Sequence, residues 1–311
     1  MILVYCFIGQ LPSYVVETIH QARLFFDGPV YLITSDLGSR YVPIVQAHRA
    51  IVIPYETVKS EVFHATSATH FHKFHIVAGL HGREKLFIYS FERFFSLYHL
   101  MEQRGLSDVL FVELDNVLYD DPVKWESAFR EKSIAFMLDN DDRCASGICY
   151  VRDAESLGVL NRSFLDFIAH SNKFINEMSA LHEFWERQPD KVQILPTFWP
   201  SPEYPVAHHA GYATYRSIFD AAAIGAYLCG FDPIHTNGVV VKGLRWSFSR
   251  IDYTRYRYKW ERDERGRNVP YVHNGDEWIR INNLHVCSKQ LDETLSQPLD
   301  EASTQSHPCN G

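Results

Sequence analysis

The sequence predicts an α/β fold with a mostly parallel central sheet, flanking helices and a less regular second half. Three observations carry this. Strand-like and helix-like segments alternate from Met1 to Val112, Val109–Val112 is apolar without interruption, and Gly or Pro punctuates the boundaries. A continuous apolar run suits a strand covered on both faces. Strands separated by helices call for crossover connections, and so for parallel neighbours.

The elements follow in order. Met1–Ile8 reads as a first buried strand, because it has no basic leader and Gly9, Gln10 and Pro12 end it far short of a membrane span. Val15, Ile19, Ala22 and Phe26 then share one helical face at spacings of 4, 3 and 4. Gly28-Pro29 breaks that helix before a strand at Val30–Thr34, and Ile51–Ile53 is a short third strand. Phe87, Phe91, Phe94 and Tyr98 mark one face of a long helix over Phe87–Gln103 that Gly105 stops. Val109–Val112 comes next. In the second half Ile134–Leu138, Ile148–Val151 and Val192–Leu195 look like strands and Glu177–Arg187 like a helix. Residues 196–217 hold four prolines and many aromatics, as in an ordered loop over the sheet, and Ile218–Cys229 reads as an alanine-rich helix ending at Gly230. From Lys242 to Arg267 nine basic residues interleave with Trp246, Tyr253, Tyr256, Tyr258 and Trp260. That pattern suits either a solvated hairpin or a surface for sugar rings and acidic groups. The segment after Leu291 is polar and is expected to fray as a flexible tail over residues 292–311.

Composition bounds the function. Of 311 residues, 38 are acidic and 30 basic, a net charge of −8, with 46% hydrophobic and 14% aromatic residues. This supports a large core and excludes a disordered or fibrous chain. An acidic chain is a poor general binder of nucleic acid, since phosphate contacts need a surplus of cations. Six cysteines stand at 6, 144, 149, 229, 287 and 309 with no CxxC pair, a pattern of free thiols in a reducing compartment. A soluble cytoplasmic protein is expected, and the sequence leaves the oligomeric state open.

In an open α/β sheet, ligands bind beyond the carboxyl ends of the strands. Val109–Val112 leads directly into Glu113-Leu114-Asp115-Asn116. Carboxylates at i and i+2 fall on one side of an extended chain and can hold a hard divalent cation. Such pairs recur by chance roughly four or five times in a chain this acidic; the position after a fully apolar strand is what singles this one out. The plain alternative is a carboxylate capping the next turn. A second cluster, Asn283-Leu284-His285-Val286-Cys287-Ser288-Lys289, offers an imidazole ligand and a cation four residues later.

Together these residues resemble GT-A glycosyltransferases. Glu113-Leu114-Asp115-Asn116 is similar to the DxD-type metal motif of that class, in an ExD form. Some bacterial and viral members share more: Glu92-Arg93-Phe94-Phe95 before the motif, Ala145-Ser146-Gly147-Ile148, Phe219-Asp220-Ala221-Ala222-Ala223-Ile224-Gly225, and a closing Asn-Leu-His-x-x-Ser-Lys from Asn283 to Lys289. The order matches across residues 90–291.

The resemblance implies one catalytic domain over residues 1–291, with a nucleotide-binding half (1–120) and an acceptor-side half (121–291). It implies transfer of a sugar from a nucleoside diphosphate-sugar to an acceptor hydroxyl on a glycan or glycoconjugate, with Mn²⁺ or Mg²⁺. Asp115 and His285 would be metal ligands, and Lys289 would neutralise phosphate. Glu113, Asn116 and Arg93 would line the nucleotide site, with an ion pair to a nearby carboxylate an equal reading of Arg93. Glu113 stands where many members carry Asp, and Cys287 where a second histidine is expected. A carboxylate that deprotonates the acceptor would be Asp220, Glu177, or one of Asp139, Asp141 and Asp142; Asp220 and Glu177 equally suit helix starts. His208-His209-Ala210-Gly211 is a competing histidine pair. Two other classes remain open: a different metal-dependent phosphate-handling enzyme, such as a nucleotidyltransferase or phosphatase, and a non-catalytic carbohydrate-binding protein.

Overall fold

A computed structural model describes residues 1–74, 85–172, 174–230 and 249–299. The amino-terminal half alternates strands and helices: β1 (Ile2–Phe7), α1 (Val15–Phe25), β2 (Val30–Thr34), α2 (Tyr41–Ala47), β3 (Ala50–Pro54), α3 (Glu61–Thr69), α4 (Leu86–Arg104) and β4 (Val109–Val112). There follow β5 (Asn116–Leu118), α5 (Glu126–Phe129), β6 (Ile134–Asn140), β7 (Arg143–Val151), α6 (Ala154–His170), α7 (Glu177–Arg187) and β8 (Val192–Leu195). The last stretch holds α8 (Tyr212–Tyr215), β9 (Ser217–Ile218), α9 (Ala223–Cys229), β10 (Arg257–Arg262), β11 (Asn268–His273), β12 (Trp278–Ile281) and β13 (Asn283–His285).

Seven strands form the central sheet in the order β3-β2-β1-β4-β7-β6-β8. Of these, β7 alone runs against the rest, pairing antiparallel with both β4 and β6. The remaining pairs are parallel, so the sheet is mostly parallel with helices on both faces. Strand β4 shows why its sequence is apolar throughout. Val109 and Phe111 face a core built with α4, α6 and α7, while Leu110 and Val112 face the one under α1. On the first face Phe94 lies 5.5 Å from Phe111 and 5.4 Å from Phe164 between ring centroids. Removing such a buried ring costs about 3–5 kcal/mol. Helix α4 stops at Gly105, whose φ of 61° suits glycine.

A four-stranded sheet, β10-β11-β12-β9, and the antiparallel pair β5–β13 complete the fold. The basic-aromatic segment therefore contains a hairpin, β10–β11, with Tyr258 packed in a third core and Trp260 exposed. Lys242, Arg245 and Trp246 lie outside the described residues.

Two expectations need correcting. The alanine-rich helix begins at Ala223 rather than Ile218, because Ile218 pairs in β9 and the Asp220 carboxylate takes up backbone N–H groups of the next turn. The chain after Leu291 does not fray at once. A 3₁₀ turn covers Leu291–Thr294, Thr294 and Ser296 are buried, and Leu299 packs on the core under α1. Gln21 anchors this segment: its Oε1 accepts the Ser296 N–H at 2.9 Å, and its Nε2 donates to Ser296 Oγ at 2.8 Å.

Candidate active site

The site grows from the end of β4. The Glu113 N–H donates to Gly147 O of β7 at 3.0 Å, and the Asn116 N–H donates back to Glu113 O at 2.9 Å, closing a tight turn. The buried Thr18 hydroxyl of α1 donates to Leu114 O and holds that turn from beneath. Strand β5 then pairs with β13 so that Asn116 stands opposite His285. The Val286 N–H donates to Asp115 O at 2.7 Å. Two segments distant in sequence thus meet at one point.

Their side chains converge there. His285 Nε2 lies 3.1 Å from Asp115 Oδ2 and 3.8 Å from Glu113 Oε2. Lys289 Nζ is bonded to the same Asp115 oxygen, from a residue held at φ 64°. Burial works against charge on Asp115, but Lys289 and His285 outweigh it and hold the carboxyl well below the usual range. Burial likewise opposes charge on His285, yet Asp115 and then Glu113 push its pKa up. The Lys289 ammonium is held charged in the same way, by Asp115 against burial.

On the other side Arg93 ties the turn to α7. Its guanidinium pairs with Glu113, donates to Ser146 Oγ at 3.0 Å and lies 3.6 Å from Glu177. Glu177 sits in the first turn of α7, whose N-cap Asn176 accepts the Ser179 N–H. Burial raises the Glu177 pKa while Arg93 opposes it, and Glu177 Oε2 is buried with no hydrogen-bond partner among the described residues.

Other candidates have different surroundings. Asp220 is 1% exposed, and its carboxylate accepts N–H groups from Ala222, Ile224, Gly225 and His285 at 2.8–2.9 Å. That geometry binds backbone to backbone. Asn116, also 1% exposed, accepts from Asn283 Nδ2 at 2.6 Å. A Cβ on Gly147 would lie 2.2 Å from Asn116 Nδ2, so a larger residue there would displace the Asn116 side chain. Asp139 pairs with Arg143, and burial pushes its pKa up to about 6. Asp141 pairs with Arg250 at the surface, and Asp142 is exposed. Burial pushes the Cys287 thiol up to about 12. His208 bonds through Nδ1 to Thr197 Oγ1 at 2.8 Å, away from the acidic turn. Sequence reasoning did not find Thr18, Gly147 or Asn283 as supports. Thr18 and Asn283 are buried polar residues, a signal that appears only once partners are known.

Glu113, Asp115 and His285 each offer a ligand atom, all within 4.8 Å of one another. The hydrogen bonds to the Asp115 carboxylate fall on Oδ2, and Glu113 Oε2 faces the His285 imidazole at 3.8 Å. Two carboxylates and an imidazole suit Mg²⁺ or Mn²⁺. The residues present fit a divalent ion.

No family model matches the chain, and no curated protein matches it. Solved structures that it resembles include glycosyltransferases. Mouse xyloside xylosyltransferase 1 in its apo form is 11% identical over 68% of this chain and 90% of its own, with a TM-score of 0.45. The apo glycosyltransferase GlyE of Streptococcus pneumoniae TIGR4 is 11% identical over 69% of this chain but 49% of its own, with a TM-score of 0.39. An active-site mutant of LgtC is 11% identical over 63% of this chain and 73% of its own, with a TM-score of 0.43. The chain thus spans about half the length of GlyE. No helix among the described residues is long and apolar enough to cross a membrane.

Proposed function

We propose that the protein is a metal-dependent glycosyltransferase, moving a sugar from a nucleoside diphosphate-sugar to an acceptor hydroxyl on a glycan or glycoconjugate. One observation carries the reading: the acidic pair at the end of β4 and the His285–Lys289 segment, unrelated in sequence position, share one Asp115 oxygen. The family-like motifs of the sequence meet at the same point.

Glu113, Asp115 and His285 would hold Mn²⁺ or Mg²⁺, whose charge stabilises the leaving diphosphate. Lys289 supplies a second positive charge beside it, a point charge of the kind that binds phosphate. Arg93 pairs with Glu113 and lies 3.6 Å from Glu177, so its charge offsets the repulsion between the two carboxylates. Glu177, with one unpartnered buried oxygen and a raised pKa, is the carboxylate suited to accept a proton from an acceptor hydroxyl. Asp220 has its oxygens filled by backbone donors and acts as a support for His285.

The test is thermal melting with UDP, GDP or ADP, with and without Mn²⁺. A ligand that binds only the folded chain raises its melting temperature, by about 2.7 kcal/mol of stability at a hundred times its Kd. The shift should vanish with EDTA and in Asp115→Asn. An equal shift without any divalent ion would refute a metal-bridged diphosphate.

A further inference from the structure

The four-stranded sheet carries a second feature, which shares no residue with the acidic turn. Arg257, His273 and Trp278 are cross-strand neighbours on β10, β11 and β12. The Trp278 ring has His273 at its edge, centroids 4.8 Å apart, and Lys259 Nζ 4.6 Å from its centroid. Next to it Tyr212, Ala213, Arg216, Glu277, Trp278 and Ile279 line a surface cavity of about 200 Å³ that is open to solvent.

Two opposite charges line that cavity, yet neither Arg216 nor Glu277 makes an ion pair or a side-chain hydrogen bond among the described residues. Tyr212 feels both: burial pushes its pKa up, Glu277 adds to this and Arg216 opposes it.

Size and charge decide what fits. The volume equals that of roughly six waters, and it falls below the 300–1,000 Å³ or so of an ordinary small-molecule pocket. A single sugar ring fits; a nucleotide-sugar does not. Both charged side chains are exposed, so a ligand must replace the water on them with hydrogen bonds of its own. A phosphate would meet the like charge of Glu277. A hydroxyl both donates and accepts, so neighbouring hydroxyls can answer a carboxylate and a guanidinium together, while the ring lies on an aromatic side chain.

We propose that this cavity is a carbohydrate subsite, separate from the transfer centre, which holds one hexose unit of a glycan on Trp278 and bridges its hydroxyls between Arg216 and Glu277. The proposal rests on the glycosyltransferase reading in one respect, that the glycan anchored here is the acceptor. Trp278 and His285 are seven positions apart, at most about 23 Å of extended chain, a span that a short oligosaccharide can cover.

Calorimetric titration of the full chain with cellohexaose, chitohexaose and hexagalacturonate tests it. At least one hexamer should bind the wild type, the neutral and acidic sugars telling which hexose is held. Glu277→Ala and Arg216→Ala change exposed side chains and should keep the melting temperature while weakening binding about tenfold. Trp278→Ala should abolish it. No binding by any hexamer, or equal binding in both exposed-residue variants, overturns the subsite. Binding of UDP, GDP or ADP with Mn²⁺ is measured on the same samples. Glycan binding without nucleotide binding leaves the subsite standing and removes the transferase reading, and the converse removes only the subsite.

Discussion

One oxygen of Asp220, Oδ2, accepts the backbone N–H of His285 at 2.9 Å and also that of Gly225, in the first turns of α9, at 2.8 Å. The other oxygen takes Ala222 and Ile224, each at 2.9 Å. A single buried carboxylate therefore fixes the strand that presents His285 against the helix behind it. The packing is tight, since a Cβ on Gly225 would lie 2.2 Å from His285 O.

Asp220→Asn is the sharp test of that role. One oxygen would become an amide nitrogen facing two N–H donors, which should cost about 3 kcal/mol. Denaturant unfolding should show this loss, and calorimetry should show Mn²⁺ affinity falling with it as His285 shifts. A variant as stable as wild type that still binds Mn²⁺ would show that the carboxylate supports neither.

These residues also show what the sequence could convey. Val109–Val112 announced a central strand because burial on both faces leaves no room for polar side chains. Gly105 marked the end of α4 because a left-handed residue there favours glycine. Helix α6 is equally legible: Asp153 caps it by accepting the Ser156 N–H, and Leu157, Leu160, Phe164 and Ile168 form its buried stripe. Asp220 was not legible. An acidic residue before an alanine-rich run looks the same whether it meets substrate or backbone, and only the tertiary approach of β13 separates the two. The convergence of His285 on Asp115 was suggested by a resemblance of motifs, since no local rule pairs β5 with β13.

Asp115 and Lys289 make a second case. Their side chains are 14% and 24% exposed, so the pair is largely withdrawn from water. Asp115→Ala would leave Lys289 and His285 without their shared anion, and breaking such a pair costs about 3–5 kcal/mol when fully buried. A loss of at least 1 kcal/mol is expected in chemical denaturation, and Asp115→Ala combined with Lys289→Met should recover most of it. If the double variant is no more stable than the single one, the ammonium is not the source of the loss.

His208 makes stability depend on pH. It is 1% exposed, and burial pushes its pKa down to about 4. In the unfolded chain it titrates near 6.5, so between that pH and about 4 the unfolded state binds a proton that the folded state refuses. Stability is whole above about pH 6.5, falls as pH drops, and levels off below about 4, a total near 3 kcal/mol. Asp139, raised to about 6, pulls the opposite way over part of this range, so the comparison must be between variants. His208→Asn keeps a group for Thr197 but loses the proton, and its midpoint should fall less steeply with acid. Identical pH profiles for the two proteins would remove His208 as the cause.

The last prediction concerns the carboxyl-terminal segment. Gln21 and Tyr119 are both 0% exposed. Gln21 spends its amide on Ser296 and on Leu118 O at 2.7 Å, while the Tyr119 hydroxyl donates to Thr294 O at 2.8 Å. Ser296 in turn donates to Asn268 O at 2.6 Å. Ending the chain at Leu291 removes Thr294 and Ser296 and leaves Gln21 Oε1 and the Tyr119 hydroxyl buried without partners. At about 1–3 kcal/mol for each orphaned group, the loss should reach at least 2 kcal/mol. Ending it at Leu299 keeps every one of these bonds and should leave the melting temperature within a degree or so of the full chain. Because Gln21 also holds Leu118, at the far end of the strand that starts with Asn116, the shorter truncation should keep Mn²⁺ binding and the longer one should weaken it. Equal stability of both truncations would mean that the segment lies on the fold without holding it.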